Sequence, residues 1–162
     1  MTQAFAKNAG EETSHRLENS LLASDLEFLT ARARAVGTRN ANKWLEPLAI
    51  KARDFAILSL VCTDEHPSQR ELAEFLSLDA SQVVALVDAL EKKKLLERQT
   101  DLRDRRSNIL VATPTGLSLF KEAQIAIDNA REESLGGLNE NEREELKRLL
   151  TLMAFNHQAQ SV

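Results

Sequence analysis

A lone cysteine, Cys62, among 162 residues rules out an internal disulfide and agrees with a reducing compartment. Glycine (5) and proline (3) are scarce, which argues against a turn-rich, sheet-dominated design. Leu, Ala, Glu, Lys and Arg dominate instead and favour helix. Long apolar runs are lacking too: Ala56 to Cys62, one of the longest, falls far short of the roughly 20 residues that cross a bilayer. Met1 to Ser14 holds no apolar stretch of the secretory kind and reads as a loose polar lead-in, residues 1–14. These absences predict a cytoplasmic, mainly α protein with no membrane partner. With 43% hydrophobic residues the chain has enough apolar material to bury a core.

Excess positive charge is also missing. The net charge of -4 is unfavourable for phosphates, which are bound mainly by Lys and Arg. Its distribution reverses that impression. Between Glu91 and Arg106 stand Lys92, Lys93, Lys94, Arg98, Arg103, Arg105 and Arg106 against Glu91, Glu97, Asp101 and Asp104, a local balance of +3. A second basic segment, Arg32 to Arg53, contains a single acid, Glu46. Much of the acid lies after Lys121, and local asymmetry matters more for docking than the total.

From Leu17 to Leu45 the positions Leu21, Leu22, Leu26, Leu29, Ala33 and Val36 recur at three- and four-residue spacing, predicting an amphipathic helix that Gly37 ends or bends. A buried helix is expected over Ala49 to Cys62, broken by His66-Pro67. Ser68 and Glu71 then form an S-x-x-E capping box, opening a short helix to about Leu76. After Ser77-Leu78, Asp79 to Gln82 offers a second cap of the D-x-x-Q form. The helix that follows places Val83, Leu86, Val87 and Leu90 on one face and leaves Ser81, Gln82, Ala85 and Asp88 outward. Two short helices across a tight turn make a helix-turn-helix. Leu95 to Thr100 and Ser107 to Ala112 read as two strands with a charged tip, a β-hairpin wing. Thr113-Pro114 starts a helix to about Ser134 with proline at its first position. Gly136-Gly137 punctuates, and Asn139 to Glu142 caps a last helix carrying Leu146, Leu149, Leu150 and Met153.

A helix of this kind enters the major groove, where each base pair shows its own donor and acceptor pattern. A basic hairpin beside it reaches the minor groove. Here the sequence resembles the MarR family of transcriptional regulators. The motifs are Ser68-Gln-Arg-Glu-Leu-Ala-Glu-Phe-Leu76, Leu78 to Val83, Leu86 to Glu91, Leu96-Glu-Arg98, Asp101-Leu-Arg-Asp-Arg-Arg106 and Thr113-Pro-Thr-Gly116; Asp101-x-Arg103-Asp104-x-Arg106 is the most specific. The resemblance implies a mainly α fold with a small β-hairpin wing: a winged helix-turn-helix lobe over residues 49–112, flanked by dimerisation helices in residues 15–48 and 113–162. It further implies a homodimer that binds double-stranded DNA at a near-palindromic operator, most often as a repressor, and that a small aromatic effector can release. Residue by residue, it points to Ser81 and Gln82 for base edges or phosphates, Arg103 for the minor groove and Arg105 for phosphate. Asp101, Asp104 and Arg106 hold the wing through ion pairs, Arg106 being counted with the DNA-facing set as well. Ser68, Gln69 and Arg70 at the first helix and Ala85 on the second complete that set.

Val84 and Ala85 depart from the family pattern, which often places a polar residue and an arginine there. Specificity then rests on few hydrogen bonds, thymine-methyl contacts and duplex shape. Lys92 to Lys94 are compatible with a solvated face or with phosphate contact. Trp44, with Arg53 and Phe55 near it, is either core or the wall of an effector pocket. Cys62 among Leu58, Leu60 and Val61 reads as core filler before thiol sensor. His15, His66 and His157 are far apart and show no metal-ligand spacing, so no metal or cofactor is expected. No Gly-rich phosphate loop or nucleophile elbow supports catalysis. The alternative to DNA binding is a winged-helix module that docks a protein partner through the acidic C-terminal region.

Overall fold

The computed structural model describes residues 17–101 and 107–155, in two units, one ending at Arg39 and one beginning at Asn40. In the first, a single helix from Leu17 is not what forms. Leu21–Ser24 is a 3-10 turn, and an α-helix, α1, runs over Leu26–Leu45, its last six residues belonging to the second unit. The break comes from two competing caps. Ser20 and Asp25 both take extended backbone, the Ser20 hydroxyl accepts from the Ala23 N–H, and Asp25 Oδ1 accepts from the Phe28 N–H at 2.8 Å. Short polar side chains of this type satisfy the free donors of a helix start and so fix where it begins. Gly37 does not end the helix: α1 continues through it to Leu45. Leu17, Leu21, Leu22, Leu26 and Leu29 all remain exposed.

The second unit holds α2 (Ala52–Val61), α3 (Gln69–Leu76), α4 (Ala80–Lys92), strands β1 (Leu96–Thr100) and β2 (Asn108–Ala112), α5 (Pro114–Leu135) and α6 (Glu140–Phe155). Helix α2 starts three residues later than the sequence suggests. A 3-10 turn, Glu46–Leu48, and a left-handed Ala49 (φ 53°) come first, and the Asp54 carboxylate then accepts from the Lys51 N–H at 2.9 Å. At its centre, Ile57, Leu58 and Val61 bury against Leu72 of α3, Val83, Val87 and Leu90 of α4, Leu96 and Leu110 of the wing, and Ala123 and Ala126 of α5. These positions alternate at helical spacing on each helix, so the apolar stripe read from sequence is the core. Mainly helical with one two-stranded antiparallel hairpin, the unit is a winged helix-turn-helix.

Helix α5 begins where the sequence places it. Thr113 Oγ1 accepts from the Gly116 N–H at 3.0 Å and donates to the Lys94 carbonyl at 2.7 Å, tying the helix start to the entry of the wing. Lys94 there is left-handed (φ 59°). At the other end, Asn139 and Glu142 cap each other across α6, with Asn139 N–H donating to Glu142 at 2.8 Å and Glu142 N–H to Asn139 at 3.1 Å. No residue of α6 is buried, although it carries Leu149, Leu150, Leu152, Met153 and Phe155. No helix among the described residues is long and apolar enough to cross a membrane.

Candidate nucleic-acid interface

The helix-turn-helix is built by α3 and α4. Ser68 starts α3 as expected, accepting from the Glu71 N–H at 3.3 Å while its own N–H and hydroxyl both donate to the Glu71 carboxylate at 2.7 Å. The hydroxyl is therefore engaged in the cap. Backbone continues from there into the sheet, since the Leu110 N–H of β2 donates to the Pro67 carbonyl at 2.9 Å and Ser68 bridges Ile109. The wing is thus anchored to the first helix as well as to its own hairpin. Ser77, left-handed at φ 51°, makes the turn. Asp79 does not cap α4 with its side chain: it occupies the N-cap position, but only its carbonyl is used, accepting from Gln82 and Val83.

On α4, Val83, Val87 and Leu90 are sealed in the core while Ser81, Gln82, Val84, Ala85, Asp88 and Ala89 are exposed. At 100° per residue, Ser81, Ala85 and Asp88 lie along the middle of the outward face, with Gln82 and Val84 on its flanks. Gln69 and Arg70 at the start of α3 differ from each other. Arg70 is exposed and paired with Glu74 at 2.9 Å, whereas Gln69 Oε1 accepts from Arg98 Nε at 2.8 Å.

Arg98, which the sequence offers as a basic residue and as part of Leu96-Glu-Arg98 with no role attached, has one in the structure. It leaves β1 as a fork and joins three elements: Gln69 of α3, and Asp88 and Glu91 of α4. Burial of the guanidinium opposes its charge, and the hydrogen bond and charge of Asp88 with those of Glu91 outweigh this, raising its pKa above the ordinary arginine value. Asp88 and Glu91 are the only acids of α4, so one arginine engages both acids of the outward helix and fixes the wing stem to it. The signal was present as a D-x-x-E pair one turn apart, followed by an arginine beyond a short connection. A guanidinium fork uses both nitrogen edges, which lysine cannot. Arg98→Ala is expected to lower unfolding free energy by about 1–2 kcal/mol, typical of a part-exposed charged network, and Arg98→Lys to recover less than half of it, as read in urea titrations.

Of the remaining candidates, Asp101 closes the strand pair, its N–H donating to the Ser107 carbonyl at 3.0 Å, while Arg103, Asp104, Arg105 and Arg106 lie outside the described residues. Lys92, Lys93 and Lys94 are exposed, and Lys93 Nζ donates to the Ala49 carbonyl at 2.7 Å. Trp44, 38% exposed, donates its indole N–H to Glu133 of α5 at 2.7 Å, and the same carboxylate pairs with Lys43. Phe55 stacks on Phe120 with centroids 5.8 Å apart, and Arg53 is exposed. A groove of about 440 Å³ runs along α6, lined by Leu138, Leu146 and Leu149 among others; Trp44, Arg53 and Phe55 do not line it. Cys62 packs against the core, and burial pushes its thiol pKa up. Among the described residues no three His, Cys, Asp or Glu side chains gather to hold a metal ion.

Residues 50–107, from the approach to α2 to the end of the wing tip, match the model of the MarR family. A transcriptional regulator (MarR family) from Rhodococcus sp. RHA1 is similar over 85% of this chain and 98% of its own, at 30% identity and a TM-score of 0.78. The chain belongs to the MarR family. Among other MarR-like structures, CouR from Rhodococcus jostii RHA1, solved with p-coumaroyl-CoA, matches at 29% identity and TM-score 0.77 over 86% of this chain and 98% of its own. MepR from S. aureus, solved with DNA, shares the fold at 24% identity and TM-score 0.70, over 80% of this chain and 96% of its own. Within the MarR scaffold this chain keeps both helices, the turn and the wing stem, and places Val84 and Ala85 on the outward face of α4.

Proposed function

We propose that this MarR-family chain is a homodimeric, sequence-specific DNA-binding regulator that represses transcription from a near-palindromic operator. The observation that carries it is the outward face of α4: Ser81, Gln82 and Ala85 stand exposed on a helix whose only acids are held by Arg98. A helix so presented fits the major groove, with Arg103, Arg105 and Arg106 at the wing for the minor groove and phosphates. Gln82 and Ser81 serve as hydrogen-bond groups toward base edges. Ser68 contributes through its place at the start of α3, and Gln69 through its amide N–H groups, since its carbonyl oxygen is taken by Arg98. MepR, which has this fold, binds DNA.

Dimerisation is assigned to residues 15–48 and 113–162. In each region apolar side chains lie bare: Leu21, Leu22 and Leu26 in one, and the apolar row of α6 in the other. A 16-residue amphipathic helix with no buried residue does not persist on propensity alone and needs a covering surface. A small aromatic effector is the ligand class of the release step, in line with CouR and its p-coumaroyl-CoA, with Trp44, Arg53 and Phe55 as the candidate pocket. The partner-docking alternative has less support, because the acids after Lys121 are largely spent on neighbours: Glu132 on Arg143, Glu144 on Lys147, Glu145 on Arg148.

Fluorescence anisotropy with labelled duplexes tests this reading. Binding is expected to fall steeply with salt, as phosphate neutralisation requires. Arg103→Ala, changed in both subunits, is expected to weaken binding and flatten the slope of log K against log salt by about 2. An unchanged affinity and slope would remove the wing from the interface.

A further inference from the structure

We infer that Val84 and Ala85 read thymine through its C5 methyl group, so that the half-site carries a thymine, or another 5-methylated pyrimidine, opposite this pair. The inference rests on the proposed placement of α4 in the major groove and names what that face recognises there. Val84, 41% exposed, stands on the flank of the outward face, and Ala85 in its middle. Neither belongs to the buried core: the inward stripe of the same helix is Val83, Val87 and Leu90, each sealed there. The surrounding face has no cation of its own. Its hydrogen-bonding groups are Ser81 and Gln82, and the Asp88 carboxylate is held by Arg98.

A face without cations does not fit phosphate. Among the base edges of the major groove, nitrogen and oxygen atoms cover every pair, and the single apolar group is the methyl at C5 of thymine. Apolar side chains buried against N7, O6 or N4 would strip those atoms of water without replacing their hydrogen bonds, which costs free energy. Against a methyl, both surfaces leave water with gain. Ala85 also keeps the centre of the face short, which lets the helix backbone come close to the base edges. The chemistry thus selects a methyl-bearing base and disfavours a G·C pair at that step.

The probe is the inverted-repeat duplex recovered by the wild-type full-length protein from a random pool, resynthesised with deoxyuridine replacing each thymine in turn. Removing the one methyl under Val84–Ala85 is expected to weaken binding about fourfold, and about fifteenfold when both half-sites are changed, the scale of one and two buried methyl groups. Restoring the methyl by 5-methylcytosine paired with guanine at that step is expected to bind better than unmethylated cytosine there. Val84→Ala, which keeps the helix, should shrink the thymine-to-uracil difference at that position and at no other. Tight binding that is indifferent to every methyl overturns this inference and leaves the DNA-binding reading standing. Absence of binding to any duplex overturns both.

Discussion

Gly116→Ala is expected to be the most damaging glycine-to-alanine change among the described residues. A Cβ at Gly116 would fall well inside contact distance of the Leu95 carbonyl oxygen and 2.8 Å from its carbon. The obstacle is backbone, and that backbone is pinned from several sides. The Leu95 carbonyl accepts from the Thr113 N–H at 3.1 Å, and the Leu95 N–H donates to the Leu90 carbonyl at 3.0 Å. Leu95 itself is buried in the core. Alanine is worth about 1 kcal/mol over glycine inside a helix, so propensity alone predicts a more stable protein. Overpacking against a fixed backbone costs about 3 kcal/mol and reverses the sign. The net loss of about 2 kcal/mol lowers Tm by about 6 °C for a chain of this length, measured by thermal denaturation at fixed protein concentration. An unchanged or raised Tm would mean that α5 does not press on the wing entry as described.

The second large effect concerns association. Leu149→Glu with Leu150→Glu is expected to convert the proposed dimer to monomer, because a leucine buried between copies would contribute about 1.5–3 kcal/mol and a buried carboxylate without a partner costs more than the leucine gave. Both positions are about half exposed in the single chain, at 49% and 45%, so the fold of the subunit does not depend on them. Far-UV circular dichroism should lose no more helix than the 16 residues of α6, while sedimentation shows half the mass. Operator affinity should fall by more than 100-fold, since two linked half-site contacts become one. A stable dimer in the double variant would move the interface away from α6.

Much of this was legible from residue order alone. The capping box at Ser68, the turn after Leu76, the inward stripe of α4 and the proline-led start of α5 each depend on neighbours within a few positions, and each stands where the sequence puts it. The misreadings share a cause as well. Asp79 has the residue type of a cap, but type does not fix where its carboxylate goes, and only its carbonyl serves α4. The leucines from Leu17 onward keep helical spacing, yet Ser20 and Asp25 interrupt the backbone locally, a signal that periodicity does not register. The clamp made by Arg98 is not a local feature. Its partners lie 7, 10 and 29 residues away, brought together by the left-handed Lys94 and the pairing of β1 with β2. Gly116 stood in a quoted motif without a role because close approach to Leu95 exists only in three dimensions. Of the two readings open for Trp44 and Phe55, core or pocket wall, Phe55 packs on the core and stacks on Phe120, while Trp44 donates to Glu133.

The chain combines a face for base edges, a clamp that positions the wing, and bare apolar helices that call for a second copy. Selection of duplexes from a random pool by the full-length protein tests all of it at once. The predicted outcome is an inverted repeat, bound two chains to one duplex, with half-site centres about 10 base pairs or a multiple apart. Enrichment of no sequence, or of an asymmetric site bound by one chain, would contradict it.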